Sequence, residues 1–457
     1  MKKLFSILTC IFLFVFLSKS QSIPNSINKN DKLYYLSLLW SEIKYNFVNI
    51  DQLEFNIDSL YYSYIPKVQY SKNDFEYYQL LKKFVASFKD GHTEVFDGSQ
   101  FRNYMDYFPM RLKDVKEKVY IVSVLKSHKL DSTWVGAEVI KISGIETKKF
   151  LKDSIFPYVS ASTKQNLWMQ GVSKIHQDFK WKDFNATIIK TTGDSVEIKL
   201  QRNGEATRTP KDEHWGMQFS SIRKRVYLQK LKNGITYLNI KSFYPDKKII
   251  NQINNLLPEI YKSKGLIIDL RKNGGGSTNT AWYLESLLLH NESFLNYAWE
   301  TRINDGVKKA NSNWKEDYKA YFENREIRHV PPDTINIPDS IVSIRVPVVI
   351  LIGRYTFSAA EDFLVNLYEI PNRPIFIGQE TGGSTGSPLV IRNLPNGGYC
   401  RVCTRRICYP YSRKKFVNTG VVPDIFIEET IEDIINNNDV VLNKAVDLLS
   451  DKLSQKN

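Results

Sequence analysis

A serine stands where an apolar run gives way to a helical pattern. In "VPVVILIGRYTFSAAEDFLVNL", residues 346–367, Ser358 follows a buried-strand signature and opens a helix. The first N–H groups of a helix have no partner within it, so a hydroxyl placed there sits in a positive field with donors at hand for an oxyanion. That is a setting for a nucleophile. The residues Ser358 to Glu361 also spell S-x-x-E, a capping box that only satisfies helix-end donors. Three further stretches carry chemistry-bearing residues. In "GLIIDLRKNGGGST" (265–278) a buried strand runs into Gly274, Gly275 and Gly276, which expose backbone N–H groups to an oxyanion or a phosphate. The GxxxxGK pattern of a nucleotide loop is absent. In "FKDGHTEVF" His92 follows a turn made by Asp90 and Gly91, and reads either as a general base or as a surface histidine. The glycine-rich "IGQETGGSTGSPLVI" (377–391) admits a substrate backbone or is simply a tight connection.

Residues 29–90 place apolar side chains at three- and four-residue spacing in "DKLYYLSLLWSEIKYNF" and "NDFEYYQLLKKFVASF", which predicts two helices with one buried face each. Asn73 or Asp74 is the expected N-cap of the second. From about 105 to 207 the pattern alternates in "VYIVSVL", "GAEVIKISG", "ATIIKTT" and "SVEIKLQRNG", a set of strands with a helix around 148–156. From about 225, short continuous apolar runs alternate with amphipathic segments, as in a buried, largely parallel sheet flanked by helices. The polar stretch 293–340 reads as an insertion or flap.

The chain has 457 residues, enough for two or three domains, with the 42% hydrophobic and 25% charged content of a soluble globular protein. "MKKLFSILTCIFLFVFLSKSQS" has the basic start, short apolar run and small residues of an export signal cleaved before Gln21, with a retained N-terminal anchor as the alternative. Its loss removes Lys2, Lys3 and Lys19 from a formal charge of +14. The remaining basic residues are scattered and do not form a stripe, so nucleic acid is not the expected partner. Cys400, Cys403 and Cys408 lie in an alternating segment with no histidine nearby, which fits buried or free thiols, or one disulfide with a leftover thiol, better than a metal cluster.

In this order, "DGHTEV", "LIIDLRKNGGG", "TFSAAEDF", "GQETGGSTG" and "GVVPDI" resemble the S41 peptidases, the tail-specific and C-terminal processing proteases and their tricorn-core relatives. The resemblance implies an α/β fold: a crotonase-like (ClpP-like) catalytic domain at 220–440, an N-terminal helical domain at 28–100 and a small PDZ-like β domain at 105–210, after a signal peptide at 1–20. "WVGAEVIKISGIETKKFL" carries the PDZ-like likeness, and such a module offers a sheet edge to an extended peptide. The implied activity is hydrolysis of polypeptide substrates through an acyl-enzyme, with no cofactor and no metal. Ser358 matches the nucleophile, and the N–H groups of Gly275 and Ala359 match the oxyanion hole. The processing branch takes a lysine base from the glycine-rich segment, but no lysine occurs between Ala359 and Arg413. The tricorn-like branch uses a histidine matched here by His92, and a glutamate at a position that Val417 fills. The carboxylates left to orient the base are Glu361, Asp90 and Glu380, with Glu361 the expected third member of the site. The alternative from another class is a non-catalytic scaffold of the same fold that binds an apolar ligand or a peptide.

Overall fold

A computed structural model describes residues 23–126, 130–202, 214–217, 224–303, 310 and 327–455. The export-signal reading of residues 1–20 lies outside them. Among the described residues no helix is long and apolar enough to cross a membrane.

The front of the chain is three helices, Lys29–Asn46, Ile57–Gln69 and Asp74–Ala86. Each starts on an asparagine whose side chain accepts a backbone N–H. Asn73 takes that of Glu76 at 2.9 Å. Leu36, Leu39 and Ile43 of the first helix pack with Tyr77, Leu81 and Phe84 of the third. The spacing predicts these two. The middle helix carries mixed tyrosines and serines and a proline at Pro66, which mask its period. The front core is completed by Cys400, Val402 and Cys403 from far downstream. Strand Glu94–Phe96 makes the connection, pairing antiparallel with Gly398–Cys403 so that Val95 faces Cys400.

The β domain has its own core, including Ile121, Val139, Ile188 and Trp168. Its main strands, Lys118–Leu125, Glu138–Ile142, Phe184–Ile189 and Ser195–Leu200, lie side by side in that order. The expected helix around 148–156 is a short helix, Thr147–Phe150, run into a π turn, Leu151–Ile155. A second helix, Lys164–Ile175, was not anticipated. Thr163 caps it, and its N-terminal turn faces the α/β domain.

The α/β domain is built on a sheet ordered Val226–Lys230, Ile235–Ile240, Gly265–Asp269, Val348–Ile352, Ile375–Gly378, Ile425–Phe426. Only the first pairing is antiparallel. Side chains alternate between two apolar layers. Ile268 and Ile350 face the helices Thr278–Leu288 and Ala359–Tyr368, while Ile267 and Val349 face the terminal helix Val440–Ser454. A sheet covered on both faces needs continuous apolar strands, and Ile235–Ile240 is buried at every position. Gly265–Asp269 and Val348–Ile352 are parallel neighbours, so the glycine run and the Ser358 turn emerge together at their carboxyl ends.

The stretch 293–340, expected as an insertion or flap, contains strands. Ser293–Leu295 pairs with Thr334–Asn336, and Ala298–Arg302 pairs with both Ile327–Val330 and Arg405–Cys408; positions 304–309 and 311–326 lie outside the described residues. The cysteine segment is two strands, Gly398–Cys403 and Arg405–Cys408, in different sheets, because the chain changes partner at Thr404. All three cysteines are buried and free.

Beneath the glycine run lies a charged knot. Arg271 donates to Asp269 Oδ2 at 2.7 Å and, through both terminal nitrogens, to Asp439 at 2.7 Å; Tyr237 donates to Asp269 at 2.7 Å. Burial pushes the Asp269 carboxyl up, but the Arg271 guanidinium beside it prevails and holds it below the usual range. Asp439 also caps the terminal helix, so Arg271 ties that helix to the strand leading into the glycines. Removing the guanidinium strands a buried carboxylate. Arg271→Met is expected to lower the unfolding free energy by about 3–5 kcal/mol in urea titrations, and a loss below about 1 kcal/mol contradicts the account.

Candidate active site

Ser358 has φ 57° and ψ −132°, a backbone conformation that non-glycine residues avoid at a cost of about 1–3 kcal/mol. Its neighbours over-determine it. Its N–H meets Ser384 O and Glu361 Oε2, both at 3.2 Å, and its carbonyl accepts the N–H groups of Glu361 at 2.6 Å and Asp362 at 3.1 Å. The glutamate arm of the capping box therefore forms. The hydroxyl has another partner: Ser358 Oγ lies 3.1 Å from His92 Nε2.

His92 reaches that place on the turn between the front helices and strand Glu94–Phe96. Its backbone N–H donates to Asp90 Oδ1 at 2.9 Å, and the Gly91 N–H donates to Ser162 Oγ at 2.9 Å. A Cβ on Gly91 would meet the Phe357 ring at 2.9 Å, so only glycine lets the turn come this close. The imidazole stacks on Phe357 with centroids 4.8 Å apart and planes 2° from parallel. Its Nδ1 lies 2.9 Å from Ser384 Oγ. Burial pushes the imidazole down to about 3, with Arg401 adding to the effect, so the resting ring is neutral and keeps a lone pair on one nitrogen.

None of the three candidate carboxylates touches the ring. Asp90 Oδ1 takes the histidine's own N–H. Glu361, fully buried, spends its oxygens on Thr381 Oγ1, on the N–H of Gly383 at 2.7 Å and of Ser384 at 3.1 Å, and on Ser358 N–H. Glu380 makes no hydrogen bond to the imidazole. The third-member assignment of Glu361 is corrected accordingly: its carboxylate holds the loop beside the histidine. Val417, where a relative would carry glutamate, is in the apolar core. The residue at Nδ1 is Ser384, which the sequence reading passed over. In "GQETGGSTG" the glycines are the conspicuous feature, and the hydroxyl that follows them is the signal the sequence offers.

The oxyanion donors also differ from expectation. Ala359 N–H has no hydrogen-bond partner among the described residues. Gly275 N–H has one, Asn273 Oδ1 at 2.8 Å. Gly275 still shapes the site. With φ +88°, it lies so near the nucleophile's turn that a Cβ would stand 2.6 Å from Phe357 O and 2.8 Å from Ala359 N. The loop carrying Ser384 is gripped from the β domain, where Thr163 Oγ1 donates to Gly382 O at 2.9 Å and Gln165 Nε2 to Thr381 O at 3.1 Å. A cavity of about 640 Å³ opens in the β domain against Lys118, Glu138, Lys148 and Trp168. It contains neither Ser358 nor His92, and the chemistry sits with the pair instead.

A hydroxyl on an uncharged imidazole, beside a backbone N–H with no partner among the described residues, is equipped for nucleophilic acyl transfer. Gly275→Ala, which adds a methyl group against fixed backbone, is expected to lower kcat/KM by more than about 10²-fold, and an unimpaired variant contradicts this packing. The pH response of stability follows from His92. Its folded value lies below the ordinary 6.5, so protons bind the unfolded chain more readily as pH falls from 6.5 toward about 3. Over that window the wild type should lose stability relative to His92→Gln in denaturant titrations, whereas parallel curves refute the burial argument.

Among curated proteins none is significantly similar in sequence. Solved structures are similar in fold. Mature CPAF complexed with lactacystin is 15% identical, with 94% of this chain and 99% of that chain covered and a TM-score of 0.68. A peptidase structure from Parabacteroides merdae is 18% identical, with 93% and 97% covered and a TM-score of 0.52. The sequence model of peptidase family S41 matches residues 234–427, the span that holds the glycine run, the Ser358 turn and the Ser384 loop. It is through this α/β domain that the chain is similar to peptidase family S41.

Proposed function

We propose that Ser358 is the nucleophile and His92 the general base in the hydrolysis of peptide bonds. His92 Nε2 takes the proton of Ser358 Oγ as the oxygen attacks the carbonyl carbon of a polypeptide substrate. The tetrahedral oxyanion is met by Ala359 N–H, joined by Gly275 N–H once Asn273 Oδ1 yields it. The imidazolium then passes its proton to the leaving amine, leaving an acyl group on Ser358. Water attacks that ester with His92 again accepting the proton, and the acid product departs.

The 3.1 Å approach of His92 and Ser358, across 266 residues of sequence, carries this reading. A scaffold that only binds an apolar ligand needs neither group, and still less the strained turn that aims the hydroxyl. Helices on both faces of a mostly parallel sheet support a crotonase-like assignment of 220–440. The small, separately cored sheet within 105–210 supports a PDZ-like one, and the apolar, basic-started residues 1–20 support export to the cell envelope or beyond.

Cleavage of an unfolded polypeptide tests the proposal. Ser358→Ala and His92→Ala should each lower kcat by at least about 10³-fold while leaving a cooperative unfolding transition in place. Full activity in either folded variant removes the assignment.

A further inference from the structure

We propose that Ser384 is the positioning residue of His92, fixing the base with a neutral hydroxyl where serine hydrolases of the Ser–His–carboxylate kind use a charge. The inference rests on the reading of Ser358 and His92 given above. A histidine base has to present a lone pair at the nitrogen facing the nucleophile, which puts its own proton on the other nitrogen. That other nitrogen is Nδ1, and its partner is Ser384 Oγ at 2.9 Å, fully enclosed. When Nε2 takes the Ser358 proton, both ring nitrogens become donors, so Oγ must accept from Nδ1–H in the state that matters. No bond to Ser384 breaks. The moving proton travels only between Ser358 Oγ and Nε2.

The hydroxyl is set in place with unusual thoroughness. Ser384 N–H donates to Glu361 Oε2 at 3.1 Å, its carbonyl accepts Ser358 N–H at 3.2 Å, and the next side chain, Thr385, donates to Asp362 at 2.7 Å. Ser384 is thus bound on both sides to the first turn of the nucleophile's own helix. The nucleophile, the base and the residue that orients the base form one closed ring of hydrogen bonds. The neighbouring carboxylates stay outside it: Asp90 is engaged by the His92 backbone, and Glu361 by four donors of its own.

The test compares Ser384→Ala with Ser384→Thr in the full chain. Loss of the hydroxyl should lower kcat by about 10- to 10²-fold with KM little changed, and threonine should restore most of the rate. A merely structural role does not set a tautomer. Nitrogen-15 spectra of labelled imidazoles, with the His92 signal assigned by its absence in His92→Gln, should show Nδ1–H in the wild type and a shift toward Nε2–H in Ser384→Ala. Wild-type kcat in Ser384→Ala, an unchanged tautomer, or a folded Ser384→Thr as slow as Ser384→Ala overturns the proposal. Inactive Ser358→Ala and His92→Ala beside a fully active Ser384→Ala would remove this inference alone, whereas an active Ser358→Ala would remove the parent reading with it.

Discussion

Glu361 is a carboxyl group with no access to water, and a polar group so placed must be supplied with hydrogen-bond partners from within the protein or cost several kcal/mol. Its four donors come from the two segments whose meeting makes the site: Ser358 N–H on one side, and Thr381 Oγ1, Gly383 N–H and Ser384 N–H on the other. Burial pushes the carboxyl up to about 8 against the pull of those bonds. The strained backbone of Ser358 and the course of the glycine-rich loop are both fixed by this one acceptor. Neither segment can move without stripping a buried carboxyl group of its partners.

The histidine arrives from the opposite end of the chain, and all three cores contribute to holding it. Pairing of Glu94–Phe96 with Gly398–Cys403 anchors the strand just after it, and cysteines from the second of those strands fill the front core. The β domain bears on both sides of the pair at once. Ser162 accepts the Gly91 N–H beside the base, while Thr163 and Gln165 hold the carbonyls of the loop that carries Ser384. Arg354, four residues before the nucleophile, reaches the β domain through Asp114. The relative placement of the domains is therefore built into the site geometry.

Much of this was legible in the sequence because local pattern and tertiary role coincide there. The continuous apolar runs "GLIIDL" and "VPVVILI" are core strands because a sheet covered on both faces leaves them no polar side. The S-x-x-E signal posed a choice between cap and nucleophile that the structure dissolves: the glutamate caps the turn and thereby frees the hydroxyl for His92. What was hidden depends on contacts between distant segments. No local rule says that Glu361 will turn to the loop at 381–384 instead of the imidazole, or that Asn273 will take the Gly275 N–H. Ser384 was overlooked for the same reason, since a serine after two glycines acquires meaning only when a ring nitrogen from residue 92 is laid against it.

The account depends on an activated hydroxyl at the start of one helix. Treatment of the protein with a fluorophosphonate, followed by peptide mapping of the adduct, measures that activation without knowledge of the natural substrate. The account predicts modification at Ser358 that fails in His92→Ala. Modification elsewhere, or equal labelling of Ser358 with and without the imidazole, would contradict it.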